Sequence, residues 1–303
     1  MKNMIFMLFV LLLAPIMPGI INKVKAFFAG KKGLPVMQLY FDIFRLLRKK
    51  SNYSKTTTWL TRIAPHSVFA ATVFLCLLIP FAGKESVVSF NADFILAVYL
   101  LALVRFFLIM AAIDAGSSFE GMGASREAFY GALAEPAFFS GLLALIFATG
   151  NLGFSDVFNG VTPSLWLQYP APLALVVCCW FIVLLVENSR IPFDDPNTHL
   201  ELTMIHEVMI LDYSGKDLAM LEYSAALKLT VFASLLVNLL LPWQFASSLM
   251  AAAVFTFGLL LLAVVIGVIE STFARLRLIQ IPKVLLGSGA LGIIALVIML
   301  SGK

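Results

Sequence analysis

Eight apolar runs on the scale of a bilayer's thickness, parted by polar stretches, leave this chain of 303 residues few architectures. A helix needs roughly 20 apolar residues to cross about 30 Å of hydrocarbon, and within that layer its backbone polar groups must be satisfied internally. The runs predict spans at about 3–21, 65–80, 92–113, 128–149, 171–186, 223–243, 246–269 and 283–300. Alternating segments of about ten residues, the mark of a membrane β-barrel, do not occur. Only 13% of the residues are charged, against about 25% in a soluble domain. The expected fold class is all-α: one integral membrane domain over 1–303 with about eight transmembrane helices. A signal peptide is the other reading of the first run. Only Lys2 precedes it, and Pro15 and Pro18-Gly19 lead straight into basic sequence, so a retained helix is expected.

Charge then sets orientation. Residues 22–62 carry ten Lys and Arg against one acid, Asp42. Within 35–50, Met37, Tyr40, Phe41, Phe44 and Leu47 recur at three- and four-residue spacing, which predicts an amphipathic helix along the membrane plane. Sixteen basic residues fall on the side of this loop and three, Lys2, Lys84 and Lys303, on the other. The positive-inside rule therefore puts both termini outside and the large polar loops in the cytoplasm. Arg105 and Lys228 lie within spans, where an ionisable residue is costly and marks a candidate site.

The densest polar stretch is the loop 187–222 between the fifth and sixth spans. It holds eight of the chain's 17 carboxylates and two of its three histidines. Glu187 ends the fifth span with Arg190 three residues on, within helix-pairing distance. Pro192 and Pro196 break the helix, and Asn197 or Thr198 is placed to cap a short helix to about Ile210. His199 and His206 share a face of that helix but stand about 10 Å apart along its axis, too far for one metal ion. Acids at the membrane edge with few cations suit proton traffic; a plain solvated loop is the simpler alternative. Glu135, beside Pro136 inside the fourth run, is open to two readings of its own: a group that binds and releases a proton, or a structural carboxyl bonded to a neighbouring helix. Loop 114–130 is rich in Gly and Ser and reads as a close-packing connection.

Cys76, Cys178 and Cys179 sit in apolar runs without CxxC or Cys/His spacing, so no iron–sulfur cluster, zinc or other metal is expected in this chain. No phosphate loop, nucleophile elbow or metal-binding helix motif occurs. The chain is thus expected to hold no catalytic residue or cofactor of its own. Its expected environment is the lipid bilayer, not nucleic acid. An independent transporter is the remaining class, but the two halves show no internal repeat.

The segment Glu187-Asn-Ser-Arg190-Ile-Pro192-Phe193-Asp194, with Glu201, Glu207 and Tyr213-Ser214-Gly215, resembles the membrane-anchor H subunit of respiratory complex I. So do Lys31-Lys32-Gly33, the stretch Gln38-Leu-Tyr40-Phe-Asp42-Ile-Phe-Arg45, and Gly123-Ala-Ser125-Arg126-Glu127. The wording of Asp114-Ala-Gly116-Ser117 and Glu135-Pro136 is more similar to the membrane subunit of energy-converting nickel–iron hydrogenases and formate hydrogenlyases. The resemblance implies a non-catalytic, ion-translocating subunit in a prokaryotic inner membrane. Its partners would be hydrogenase large and small subunits (the complex I D and B types), an iron–sulfur subunit and antiporter-like membrane subunits. The Ni–Fe centre and iron–sulfur clusters would lie in those partners. Glu135, Glu187, Asp194, Glu201, Glu207 and Lys228 would carry protons. Lys31, Lys32, Asp42, Arg45, Arg126, Glu127, Arg190 and Tyr213 would pair loops and dock the redox arm, with Arg126 and Arg190 pairing to the acids. The alternative is the H subunit of an NADH:quinone oxidoreductase, its gap beside the loop admitting a quinone.

Overall fold

The computed structural model describes residues 2–194, 204–241 and 247–301. Among them are thirteen helices and no strand. In chain order they are α1 (Lys2–Leu13), α2 (Ile16–Phe28), α3 (Gln38–Leu47), α4 (Trp59–Leu78), α5 (Asp93–Ala115) and α6 (Ser118–Thr149). There follow α7 (Phe154–Asn159), α8 (Pro163–Gln168), α9 (Pro170–Glu187), α10 (His206–Met209), α11 (Gly215–Leu240), α12 (Ser248–Thr272) and α13 (Ile281–Ser301). Eight units among the described residues are long and apolar enough to cross a membrane: α1–α2 taken together from Phe6 to Phe28, then α4, α5, α6, α9, α11, α12 and α13. The chain is a multi-pass membrane protein.

Helix α11 is the centre of the bundle. Of its most apolar window 83% is buried, against 33% for α12 and 28% for α13. It packs on α4, α9, α12 and the amphipathic α3, while α13 lies against α6 and α9. α12 packs on α2, where Gly267 lets the two approach; a Cβ there would stand 2.8 Å from Val24 Cβ. α3 exposes Phe41 and Phe44 on one side and presents Leu39 to the protein on the other.

Cross-links sort the loops between the two ends of the bundle. At one end Asn52 N–H donates to Ser214 Oγ (3.0 Å), Tyr53 Oη–H to Asp217 Oδ2 (2.6 Å) and Thr58 N–H to Asp114 Oδ2 (2.8 Å). Leu276 N–H donates to Pro192 O (2.8 Å) at that same end. At the other end Phe154 N–H donates to Asp93 Oδ1 (2.7 Å), Asn238 Nδ2 to Pro80 O (2.7 Å) and Trp166 Nε1 to Leu239 O (3.1 Å).

Several helices outrun the apolar windows that signalled them. α4 begins at Trp59 rather than near 65, and α11 at Gly215 rather than near 223. The largest difference is α6, which starts at Ser118, so the connection expected over 114–130 shrinks to a turn at Gly116 (φ 71°) and Ser117. Glycine weakens a helix by about 1 kcal/mol, which is why this stretch reads as a loop. Here Gly123 permits contact instead: a Cβ on it would lie 2.2 Å from Val208 Cγ1 and 2.9 Å from Ile205 O of the α10 segment. The short helix expected from 197 falls largely outside the described residues, which retain α10.

Candidate functional site

Arg105 sits midway along α5 with its side chain 8% exposed. A lone guanidinium at that depth would be prohibitive; it is held because acids from two other helices converge on it. Nη1 donates to Glu135 and Nη2 to Glu187, while Nε lies 3.7 Å from Glu127 Oε1. Glu127, Gly131 and Glu135 are four residues apart, so they form one stripe on α6. The glycine in its middle makes the room, since a Cβ at 131 would stand 2.4 Å from Arg105 Cζ. Glu187, at the last turn of α9, also receives Lys228 Nζ of α11 at 2.8 Å. Four helices are thereby joined by one alternating series: Glu127 and Glu135, Arg105, Glu187, Lys228. Glu135 is its most accessible member, at 40% side-chain exposure.

Beside this series lies a cavity of about 240 Å³. Its polar wall is Glu187, Arg190, His206, Glu207, Glu222 and Lys228; its apolar wall includes Pro18 of α2, Leu39 of α3 and Leu108 of α5. Burial pushes the Glu207 carboxyl up to about 7, with Glu222 and Asp194 adding to the rise and Arg190 opposing it. Burial likewise drives His206 down to about 4, helped by Lys228 and Arg190. Near neutral pH, then, His206 is an uncharged imidazole while Glu207 is poised between its two forms.

A second charged set lies on the turn that follows α9. Asp194 Oδ1 accepts from Arg275 Nη2 (2.6 Å), and its Oδ2 accepts Ile205 N–H (2.9 Å) and His206 N–H (3.3 Å), fixing the start of α10. Glu270 of α12, its side chain wholly buried, lies 3.0 Å from Lys25 Nζ of α2 and 3.6 Å from Arg190 Nη1.

The structure thus gathers Glu127, Glu135, Glu187 and Lys228 around Arg105, and brings Arg190, Asp194 and Glu207 to the adjoining loop. Glu201 lies outside the described residues. The expected pairing of Arg190 with Glu187 does not form. α9 ends at Glu187 and Ser189 takes a left-handed backbone (φ 49°), so Arg190 leaves that helix face and meets Glu270. Arg126 donates to Met204 O (3.0 Å), tying α6 to the α10 segment. Tyr213 Oη–H donates to Thr61 O (3.0 Å), and Asp42 accepts from Gln38 Nε2 (3.0 Å) within α3. Lys31, Lys32 and Arg45 are exposed, and the carbonyl of Lys32 accepts Lys23 Nζ (2.7 Å). Sequence reasoning missed Glu270, Arg275 and Gly131. Glu270 stands one residue past the expected seventh span, where no apolar run draws attention to it; the Glu-x3-Gly-x3-Glu stripe was available as a signal.

A family described as NADH dehydrogenase matches residues 1–301. The chain is 31% identical to Hydrogenase-4 component C of Escherichia coli (strain K12), covering 96% of this chain and 93% of that one. It is 30% identical to Formate hydrogenlyase subunit 4 of the same organism, over 89% of each. Identity to the H subunit of the NADH-quinone oxidoreductase of Paraburkholderia phymatum is 25%, over 84% and 74% of the two chains. A chain in the solved structure of the membrane-bound sulfane sulfur reductase, an archaeal respiratory membrane complex, has the same fold. Its TM-score is 0.84 at 20% identity, with 98% of each chain covered.

Proposed function

The chain belongs to the NADH dehydrogenase family, and from that premise we propose that it is the non-catalytic membrane-anchor subunit of a hydrogenase or formate hydrogenlyase-type complex. It docks the redox subunits and couples their electron transfer to proton movement. The observation that carries this reading is the unbroken series of ionisable groups from the accessible Glu135 through the buried Arg105 and Glu187 to Lys228, opening on the cavity that holds Glu207. Higher identity to the two hydrogenase-type relatives than to the quinone oxidoreductase relative favours that branch.

In this account reduction of a docked centre changes the charge near the cavity. Glu207 takes up or releases a proton in response, because it is poised near neutrality. Glu187 lies between two cations and passes the change toward Arg105 and Glu135. The loops of 22–62 and 187–222 face the cytoplasm, both termini lie outside, and the Ni–Fe and iron–sulfur centres sit in partner subunits. Antiporter-like membrane subunits complete the assembly.

The complex should be isolated in gentle detergent through a C-terminal tag, then assayed for metals and for hydrogen evolution. Nickel with iron and hydrogen evolution is the expected result. Iron without nickel, with quinone reduction, would overturn the hydrogenase reading in favour of a quinone reductase. Glu135→Gln is expected to abolish coupled ion movement while preserving assembly; normal pumping would remove Glu135 from the route.

A further inference from the structure

Glu270 has no part in the proton series above, yet it is a fully buried acid with two cations on it. The cations come from different places. Lys25 belongs to α2, which packs along α12, and Arg190 belongs to the turn that lines the cavity. The neighbouring backbone is fastened to the same turn, through Leu276 N–H on Pro192 O (2.8 Å) and Arg275 on Asp194 (2.6 Å). A buried carboxylate between two cations fixes where those charges sit, because moving either one leaves the acid uncompensated.

We propose that Glu270 is a positioning residue for the cavity: by sharing its carboxylate between Lys25 and Arg190, it holds Arg190 at a set place and thereby sets the proton affinity of Glu207. The groups facing Glu207 are Arg190 and Asp194 of the turn, Glu222 and Lys228 of α11, Glu187 of α9, and His206 beside it. Arg190 is the member whose charge favours ionised Glu207. Glu270 lies behind Arg190 and offsets part of that charge. Its removal unmasks the guanidinium and frees it to swing toward Glu207. The importance of this for coupling rests on the proposed function; the electrostatic effect on Glu207 does not.

Opposite signs follow for two variants. In Glu270→Gln the protonation midpoint of Glu207 falls by about half a unit, and in Arg190→Gln it rises by a similar or larger amount. The measurement is an infrared pH titration of the carboxyl band in the whole purified complex, with Glu207→Gln identifying the band. Opposed shifts in assembled complexes support the proposal. No shift, or shifts of the same sign, would overturn it and leave Glu270 a structural staple. If Glu270→Gln does not assemble, Arg190→Gln decides: an unmoved midpoint shows that Arg190 does not govern Glu207. Proton uptake by the same samples is read separately. Opposed infrared shifts with unchanged uptake would count against the proposed function and not against this assignment.

Discussion

Arg105 and Glu270 are charge mirror images. The first is a cation surrounded by Glu127, Glu135 and Glu187; the second is an acid held by Lys25 and Arg190. Both are buried, but their surroundings differ. All of the Arg105 partners except Glu135 are themselves shut away, whereas Lys25 is 22% exposed and can carry its ammonium toward water. Losing Arg105 leaves two buried acids, Glu127 and Glu187, short of a cation, whereas losing Glu270 leaves one buried cation, Arg190, short of an acid.

Loss of Arg105 should have the largest effect. Arg105→Gln strands buried acids and should cost about 3–5 kcal/mol, read as loss of the subunit from the complex on native gels. Arg105→Lys should rescue it only in part, since one ammonium cannot reproduce a guanidinium fork to several carboxylates. Glu270→Gln should still assemble. If the two variants assembled equally, the distinction between the hubs would be wrong.

Each hub also rests on a glycine, which sharpens the contrast. Gly131→Ala drives a methyl group to 2.4 Å from Arg105 Cζ and dislodges a guanidinium that cannot move without leaving its acids. A loss of about 2 kcal/mol is expected, seen as lower thermal stability together with reduced proton uptake. Gly267→Ala meets Val24 Cβ at 2.8 Å and asks only that α2 and α12 part slightly. About 1 kcal/mol is expected there, with uptake unchanged.

These pairs also separate what the sequence made legible from what it did not. The eight spans follow from bilayer thickness and the length of apolar runs. Arg105, Glu135, Glu187 and Lys228 stood out because a charge within or at the end of an apolar run demands a reason. Their partners did not follow, because the links join residues far apart in the chain: Arg105 to Glu187 across 82 positions and Arg275 to Asp194 across 81. The one pairing that spacing did suggest, Glu187 with Arg190, fails at Ser189, whose left-handed backbone no helical periodicity reveals. Likewise Gly123 and Ala124 read as loop residues, although in α6 they pack closely against the α10 segment. Local pattern identifies elements and costly residues; tertiary geometry decides who compensates whom.

The smallest expected effect concerns the cavity wall. His206 falls from 6.5 to about 4 on folding, so the folded state binds fewer protons than the unfolded one between those values. The share of stability that His206 contributes is therefore full above pH 6.5 and declines as pH drops toward 4. His206→Gln should flatten that decline in thermal melts of the complex, while Arg105 variants should leave its slope in place.

On the proposed function, protons pass between the acids of this series, with Arg105 a fixed charge that keeps its own proton and Glu187 the link between α5 and α11. The direct measurement is proton uptake during electron transfer by the complex in sealed proteoliposomes, comparing the native chain with Glu187→Gln. Electron transfer should be retained and proton uptake lost. Wild-type uptake per electron in that variant would contradict it.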